Sequence, residues 1–498
     1  MHEERYAMEK GLVIGIDIGT TNIKAVLFNM NGAVISESIK TITTYHPTNN
    51  QKEQDSLEIE YKVKQAIKQV IQRAKIDPRK LLSIGISCAM HSIICVDKNN
   101  NPLSPMLIWS DGRGHHQLKL MTDSTIKRIY KKTGTPAHNM SPLFKLMWMK
   151  QEKFKPFQKA HYFMTLKDFL IKRWFDRRII DYSMASSTGL VNINTLDWEQ
   201  EALNLAGIQE DQLSEIVPPT EVLTSWKESI AKFLGIQKDL PFAVGAADGQ
   251  LANLGNGAIS SDEINISVGT SGAVRKFVKG VPKQKHPSTF VYPFTKSTSI
   301  IGGPTNNGGI ALQWFKTLIE HKGTFDSFLK SAENINIGAD GMIFLPYING
   351  ERAPLWNQQA KGVFYGLSMN HTKEHMVRAV LEGISFNLYK ISELLEKEGN
   401  KYRKISVNGG LSQSSVWLEM LADIFGNEIN VSNTSHSVAW GAAWTSLVAT
   451  NKVETFVSIK ENIPQESIIH PNLRNHKLYK QSFEKFKLIL NQLYSCFS

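Results

Sequence analysis

The chain of 498 residues is too long for one hydrophobic core, so its length predicts two domains. Its 42% hydrophobic and 21% charged residues are typical of a soluble globular protein, and no stretch approaches the length of a membrane span. The net charge of +11 is scattered along the chain, without the dense basic block that favours a nucleic-acid partner. Three cysteines without Cys-x-x-Cys spacing and polar first residues predict a reduced, cytoplasmic protein.

Residues 12–28 predict two antiparallel strands joined by a tight turn. An apolar run leads into Asp17, the turn contains Thr20, Thr21 and Asn22, and alternating apolar residues follow. Such a turn can present backbone N–H groups and two hydroxyls to a phosphate. Asp17 adds a carboxylate that suits Mg²⁺ held through water. An ordinary hairpin with a hydroxyl-rich turn explains this stretch alone equally well.

The next predicted elements are a helix over residues 57–74, a buried strand pair over 81–96 and a strand over 106–109. The residues that follow these strands are candidates to line a polyol pocket: Met90, His91, Trp109, Asp111 and Arg113. A lone histidine such as His91 is commonly a satisfied core residue, and that alternative stays open.

Further along, the pattern predicts a helix over residues 163–175 and a loop over 181–189. A strand over residues 242–244 then leads into a turn that carries Asp248. A carboxylate at such a turn can accept the proton of a substrate hydroxyl as that hydroxyl attacks a γ-phosphate. An Asp-Gly turn is also a common surface feature, and the residues alone leave both interpretations open.

The first hairpin recurs in the second half of the chain. Residues 264–278 align with residues 14–28 without a gap at an offset of 250, which places Thr270 on Thr20. Two similar phosphate-type turns half a chain apart predict two homologous domains that face each other across a cleft. One nucleotide tail gripped from both sides would need that arrangement, so we interpret it as an ATP site.

The domain boundary is predicted near residues 255–262, which gives domains 1–256 and 257–498. Later in the second half, a turn at Gly409 and Gly410 precedes a predicted helix. Two glycines there let a flat ring or a ribose approach the backbone closely, although Gly-Gly turns are frequent.

The chain lacks two common nucleotide-binding motifs and carries one apparent metal motif. The chain has no G-x-x-x-x-G-K-[ST] and no G-x-G-x-x-G after a strand. His371 to His375 matches the H-x-x-E-H of inverted zinc peptidases, which need both histidines on one face of a continuous helix. Thr372 is instead predicted to cap the helix with His371 ahead of it, so no zinc site is expected.

A series of motifs in order along nearly the whole chain resembles the FGGY carbohydrate kinase family. The motifs are GIDIGTTN (15–22), SCAMHSI (87–93), DYSMAS (181–186), AADG (246–249), SVGTSG (267–272), GGPTNNGGI (302–310), GERAPLW (350–356) and NHTKEHMVRAVLEG (370–383). The last of these accounts for the zinc-like histidines as ordinary family residues. Within the family, the chain looks most like the bacterial gluconokinases.

The resemblance implies an α/β fold of two actin-like, ribonuclease H-like ATPase domains, with the sugar on the N-terminal side of a cleft and the nucleotide on the C-terminal side. It makes Asp248 the catalytic base, Asp17 the carboxylate near Mg²⁺, and residues 90–113 the sugar side. The residues implied to bind ATP are Thr20, Thr21, Asn22, Thr270, Gly309, Gly409 and Gly410. The adenosine turn departs from many relatives, which have a third glycine and an alanine where this chain reads Asn-Gly-Gly-Leu-Ser-Gln.

The implied activity is the phosphorylation of the terminal hydroxyl of D-gluconate by ATP and Mg²⁺, giving 6-phospho-D-gluconate. Arg113 is expected to help hold gluconate through its carboxylate, with His91 and His138 as the nearest alternatives. An arginine there would also suit the hydroxyls of neutral sugars, and in that case the carboxylate partner is expected around His138 and Lys145. Xylulokinase or another sugar or polyol kinase is the alternative within the family. A non-catalytic actin-like ATP-binding protein is the alternative from another class. The expected partners are small molecules rather than nucleic acid or membrane, and a homodimer is left open.

Overall fold

The structure is a computed structural model that describes residues 11–283, 287–432, 436–463 and 465–497. It contains two compact units. The first unit comprises Met1–Ile259, Val278–Ile300 and His436–Ile463. The second unit comprises Ser260–Phe277, Ile301–Ser435 and Pro464–Ser498.

The strands and helices follow one another throughout the chain. The strands are β1 Leu12–Ile18, β2 Asn22–Asn29, β3 Val34–Thr41, β4 Glu53–Gln54, β5 Leu81–Cys88, β6 Ile94–Val96, β7 Met106–Leu107, β8 Tyr162–Met164, β9 Ile179–Asp181, β10 Val191–Asn192, β11 Asp197–Trp198, β12 Glu215–Val217, β13 Val222–Leu223, β14 Phe242–Ala243, β15 Glu263–Val268, β16 Gly272–Lys279, β17 Phe290–Thr295, β18 Thr298–Thr305, β19 Ile343–Leu345, β20 Val363–Tyr365, β21 Lys404–Gly409, β22 Ile429–Ser432 and β23 Gln465–Ile469. The helices are α1 Ser56–Ala74, α2 His115–Lys119, α3 Asp123–Thr133, α4 Pro142–Gln151, α5 Lys155–Lys159, α6 Leu166–Phe175, α7 Tyr182–Ser186, α8 Gln200–Ala206, α9 Glu228–Leu234, α10 Asp248–Gly255, α11 Gly309–Leu318, α12 Phe325–Lys330, α13 Lys373–Glu398, α14 Ser415–Phe425, α15 Ser437–Ala449 and α16 Leu473–Leu493. Over the described residues, these helices include none with the length and apolar character that a membrane crossing requires.

The first unit is built on a six-stranded sheet with the order β13-β14-β5-β1-β2-β3. The predicted hairpin is confirmed, because β1 pairs antiparallel with β2 from Leu12 opposite Asn29 to Ile18 opposite Ile23. β5 adds to β1 in parallel. The predicted helix over 57–74 is also confirmed, as α1, which buries Ile59 and further apolar side chains spaced three and four residues apart.

Glycines let helix α15 lie directly on this sheet. A Cβ atom on Gly15 of β1 would stand 1.9 Å from the carbonyl oxygen of Ala439, and one on Gly85 of β5 would stand 1.9 Å from that of Ala442. No side chain fits in that space, so the helix backbone rests on the strand backbones at these two points.

The helix that begins at Asp248 is held by the same kind of contact. A Cβ atom on Gly255 of α10 would meet the carbonyl oxygen of Ser437 at 1.8 Å, and one on Gly441 of α15 would meet that of Leu251 at 2.2 Å. The middle and the last residue of α10 are therefore packed closely against α15.

The second unit repeats the hairpin that the sequence predicted. β15 pairs antiparallel with β16 and parallel with β21, and the order continues to β22 and β23. Thr372 caps α13 as predicted, with His371 before the helix. His375 instead contacts Asp340, with 3.0 Å between Nε2 and Oδ2.

Three element predictions were wrong in detail. The segment 181–189 is a loop only from residue 187 onward, because Asp181 accepts hydrogen bonds from the N–H groups of Ser183 and Met184 and thereby caps the buried helix α7. The helix predicted over 163–175 begins only at Leu166, since the residues before it form the strand β8. The strand predicted over 106–109 is only Met106–Leu107.

Candidate active site

The turn between β1 and β2 is supported by two side chains from later segments. Gly19 closes the turn by donating its N–H to the carbonyl of Asn22 at 3.0 Å. Gln54 donates to the carbonyl of Thr20 at 2.8 Å, and the indole N–H of Trp109 donates to Thr20 Oγ1 at 3.1 Å. Thr21 is exposed in the same turn. The turn is thus fixed in position while its hydroxyls stay near the surface.

The two predicted carboxylates of the first unit influence each other. Asp17 is half-buried near the end of β1, and Asp248 is the half-buried first residue of α10. Burial, the larger cause, and the negative charge of Asp248 together raise the pKa of Asp17 to about 7, against the opposing charge of Lys24. Lys24 stands opposite Asp17 in the hairpin register. Two mutually repelling carboxylates are a donor set that suits a divalent cation.

Asp248 is oriented by the backbone around it. Its Oδ1 accepts a hydrogen bond from the N–H of Gly249 at 2.8 Å. The preceding Gly245 has φ +65°, and a Cβ atom there would lie 2.0 Å from the carbonyl oxygen of Ile86. Only glycine fits this turn, so the chain before Asp248 passes very close to β5.

Asp111 and Arg113 form a tightly bonded pair. Asp111 is fully buried and accepts the N–H of Lys52 at 2.8 Å together with three bonds from the Arg113 guanidinium at 2.8–3.1 Å. Arg113 also pairs with Glu53 at 2.7 Å, and its guanidinium carbon lies 5.0 Å from the ring centroid of Trp148. The Arg113 side chain is 7% exposed. Its charge is thus shared by two carboxylates of the protein.

The loop with Met90 and His91 is held by contacts with buried parts of the first unit. His91 has φ +68°, a left-handed conformation that is uncommon for a residue with a side chain. Its Nδ1 lies 2.7 Å from the carbonyl oxygen of Ser187, so this nitrogen carries the proton that it donates. Met90 is half-buried and packs against the core of the first unit.

Lys145, which the sequence offered only as an alternative, supports the same loop. Its ammonium donates to the carbonyl oxygens of His91 at 2.8 Å and Met140 at 2.6 Å. The side chain is fully buried, and burial lowers its pKa to about 7. His138 is buried and accepts the N–H of Met140 on Nδ1 at 3.1 Å. A lysine in the apolar stretch of α4 was the only sequence signal for this anchor.

In the second unit the turn after β15 is joined to the start of α11. Gly309 donates its N–H to the carbonyl of Gly269 at 2.8 Å, and Ile310 donates to that of Thr270 at 3.0 Å. A Cβ atom on Gly308 would lie 2.7 Å from the backbone of Ser271. The structure therefore brings Thr270 and Gly309 together, as phosphate contacts would require.

The turn at Gly409 and Gly410 lies beside the end of β15, just before the turn that contains Thr270. Gly409 ends β21 opposite Val268, with φ +85°, and a Cβ atom there would meet the carbonyl oxygen of Val268 at 2.6 Å. Gly410 then begins a short 3₁₀ turn, in which Ser412 donates its hydroxyl to the carbonyl of Gly409 at 2.7 Å. The predicted adenosine turn thus lies next to the predicted phosphate turn.

Buried Glu351, which the sequence did not single out as a site residue, holds the segment that precedes Gly309. Its carboxylate accepts the Thr305 hydroxyl at 2.6 Å and the Asn306 N–H at 2.9 Å. It also accepts the side-chain amides of Asn307 at 3.2 Å and Asn387 at 3.1 Å. Burial raises the pKa of Glu351, and the hydrogen bonds from Thr305, Asn306 and Asn307 oppose that shift.

Comparison with known proteins gives consistent matches. Residues 12–255 match the N-terminal domain of the FGGY family of carbohydrate kinases, and residues 264–450 match its C-terminal domain. The chain is 39% identical to the gluconokinase of Bacillus subtilis over 91% of this chain and 90% of that protein. The crystal structure of gluconate kinase from Lactobacillus acidophilus superposes with a TM-score of 0.94 at 34% identity, covering 98% of this chain and 99% of that one. Xylulose kinase from Lactobacillus acidophilus superposes with a TM-score of 0.93 at 34% identity, covering 98% and 100%.

Proposed function

The chain belongs to the FGGY family of carbohydrate kinases, and from that premise we propose that it transfers the γ-phosphoryl group of ATP to the terminal hydroxyl of D-gluconate, giving 6-phospho-D-gluconate and ADP. The observation that carries the chemistry is the Asp248 carboxylate at the start of α10, held by the N–H of Gly249 and close enough for its charge to act on Asp17. The choice of gluconate rests on the similarity to the gluconokinase of Bacillus subtilis over nearly the full length of both proteins.

In the proposed reaction Asp248 is the general base. It accepts the proton of the substrate hydroxyl while that oxygen forms a bond to the γ-phosphorus, and the bond from phosphorus to the β–γ bridging oxygen breaks. The close packing of α10 on α15 and the glycine turn before Asp248 hold the backbone that carries the carboxylate, and the N–H of Gly249 donates to its Oδ1.

Mg²⁺ fits the carboxylate set, with Asp17 as the residue that would hold it through water. When bound, the ion neutralises charge that develops on the phosphates. The pKa of Asp17 is raised first by burial and then by the charge of Asp248, and a cation would offset the second cause.

The nucleotide contacts are proposed on both halves of the chain. We assign the phosphates to Thr20, Thr21, Asn22, Thr270 and Gly309, whose turns present N–H groups and hydroxyls. Gly409 and Gly410 are assigned to the adenosine, because backbone without side chains allows a ring to approach. Domain 1–256 is then the sugar side and domain 257–498 the nucleotide side.

The sugar pocket is proposed to include Met90, His91, Trp109, Asp111 and Arg113.

A cytoplasmic location suits an enzyme that consumes ATP and has three free cysteines, Cys88, Cys95 and Cys496. The homodimer stays a prediction.

A substrate panel tests the proposal. The purified protein is assayed for ADP release with ATP, Mg²⁺ and, in turn, D-gluconate, D-xylulose and neutral polyols, and the product is identified by mass. The expected result is the highest kcat/KM with D-gluconate. A higher kcat/KM with D-xylulose would favour the pentulose kinase suggested by the xylulose kinase match, and no turnover with any polyol would overturn the kinase assignment.

A further inference from the structure

A fully buried ion pair lies behind the turn that carries Asp248. Lys167 of α6 and Asp181 at the end of β9 are both 0% exposed, and Lys167 Nζ lies 2.7 Å from Asp181 Oδ2. Taking two charges out of water is costly, and a nonpolar pair of similar volume would often stabilise a core as well. The pair therefore calls for a role beyond packing.

Each member of the pair is linked by hydrogen bonds to the backbone just before Asp248, Lys167 directly and Asp181 through Ser183. The Lys167 ammonium donates a second hydrogen bond to the carbonyl oxygen of Ala246 at 2.9 Å. The other oxygen of Asp181, Oδ1, accepts the hydroxyl and the N–H of Ser183. Ser183 Oγ in turn accepts the N–H of Ala247 at 2.8 Å.

These two contacts grip a single peptide group. The carbonyl of Ala246 and the N–H of Ala247 belong to the same planar unit and point in opposite directions across it. Lys167 donates to the carbonyl oxygen and Ser183 accepts from the N–H, while the Asp181 carboxylate accepts from both Lys167 and Ser183. Rotation of this peptide plane would break a hydrogen bond at both ends and leave buried polar groups unpaired. The next residue but one after Ala246 is Asp248.

We propose that Lys167, Asp181 and Ser183 form a positioning network that fixes the 246–247 peptide and thereby aims the Asp248 carboxylate at the substrate hydroxyl. The inference rests on the proposed function, in which Asp248 is the general base. None of the three residues contacts the reacting atoms in this scheme, so they are positioning residues. The network also gives a physical role to the DYSMAS segment (181–186) that the sequence singled out.

The test compares two serines of the same short helix. Ser183→Ala removes the acceptor for the Ala247 N–H, whereas Ser186→Ala removes a hydroxyl that donates to the carbonyl of Tyr182 at 2.6 Å within the helix. Both serines are buried. Ser183→Ala is expected to lower kcat by about tenfold or more with KM values for ATP and gluconate nearly unchanged, and Ser186→Ala to change kcat by less than about twofold.

A double variant separates positioning from a general structural effect. If the network acts through Asp248, Ser183→Ala should lower kcat in the native background but not in the Asp248→Asn background. An equal further loss in both backgrounds, or a kcat for Ser183→Ala close to that of the native protein, would overturn the network. Should Asp248→Asn itself leave activity intact, the base assignment fails instead, so the two failures are distinguishable.

Ser183→Thr covers the case in which Ser183→Ala does not fold. It keeps the hydroxyl that accepts from Ala247 and donates to Asp181, so a folded Ser183→Thr protein should retain kcat within about threefold of the native value. A folded Ser183→Thr protein that loses kcat as heavily as Asp248→Asn would overturn the proposal.

Discussion

Trp109 donates its indole N–H to Oγ1 of Thr20 over 3.1 Å, which joins a residue predicted to contact the sugar to one predicted to contact a phosphate. A hydroxyl that accepts a hydrogen bond keeps its own proton for another acceptor. The bond from Trp109 therefore leaves the Thr20 hydroxyl as a donor for a phosphate oxygen. A residue of the predicted sugar side is thus hydrogen-bonded to the predicted phosphate turn of the first unit.

Trp109→Phe tests this connection by removing only the indole N–H donor. The loss of one hydrogen bond of about 1 kcal/mol should lower kcat/KM for ATP roughly fivefold. The matched control is Trp198→Phe, since Trp198 is equally half-buried and donates to the carbonyl of Ser214 at 3.1 Å in another part of the unit. Steady-state kinetics with varied ATP would contradict the idea if both variants behaved alike.

Asp248→Asn is expected to lower kcat by about 10²–10⁴-fold, because the amide keeps the shape of the carboxylate but cannot accept the proton. Binding of ATP, measured by calorimetry, should change little. Turnover within a few-fold of the native rate would exclude Asp248 as the base.

Arg113→Lys tests whether the guanidinium recognises the gluconate carboxylate. Because Arg113 already meets Asp111 and Glu53 and stacks on Trp148, we expect KM to rise by similar factors for D-gluconate and for a neutral polyol substrate. A lysine cannot reproduce the parallel bonds to Asp111, so the loop should loosen for every substrate. A rise confined to gluconate would instead show that Arg113 contacts the substrate carboxylate.

The pKa of Asp17 predicts how stability depends on pH without nucleotide and Mg²⁺. Its folded-state pKa of about 7 lies above the unfolded value of 3.8, so between these values the folded protein binds more protons and stability falls as pH rises. Asp17→Asn should therefore raise the melting temperature at pH 8 and change it much less below pH 4. Asp248→Asn removes the second cause of the raised pKa of Asp17. The folded-state pKa of Asp17 should then lie closer to 3.8, and stability should fall over a narrower pH range. Equal melting-temperature changes at both pH values would contradict the pKa shift.

The sequence predicted the parts of the fold that local pattern encodes. The two hairpins follow from alternating apolar residues around Thr20 and Thr270, and α1 follows from its apolar spacing. The polar residues of segment 181–189 predict a loop, but in the structure they face buried partners rather than water.

Local sequence pattern does not predict contacts between distant parts of the chain. Lys167 meets Ala246 across 79 residues, and Lys145 meets His91 across 54. Each lysine appears in the sequence only as a charge within an apolar helix. What it binds depends on tertiary structure, which a single sequence does not show.

Glu351→Gln examines how the segment before Gly309 is held. The carboxylate oxygens of Glu351 act as hydrogen-bond acceptors, and the groups that donate to them include the Thr305 hydroxyl and the Asn306 N–H. An amide would place its own N–H₂ group against some of these donors, and unpaired buried donors cost about 1–3 kcal/mol each. Because Gly309 follows in the same segment and bonds to the turn with Thr270, the displaced segment should weaken phosphate binding.

We therefore expect Glu351→Gln to raise KM for ATP by about tenfold or more while KM for gluconate changes little. The matched control is Glu382→Gln, which alters another buried glutamate of the second unit that bonds to Arg378 at 2.7 Å and to the N–H of Gly338 at 3.0 Å. Both variants should lower the melting temperature, but only Glu351→Gln should shift KM for ATP, because only Glu351 binds the segment that leads to Gly309. If the two variants raise KM for ATP equally, the effect is one of general stability and Glu351 does not position the phosphate segment.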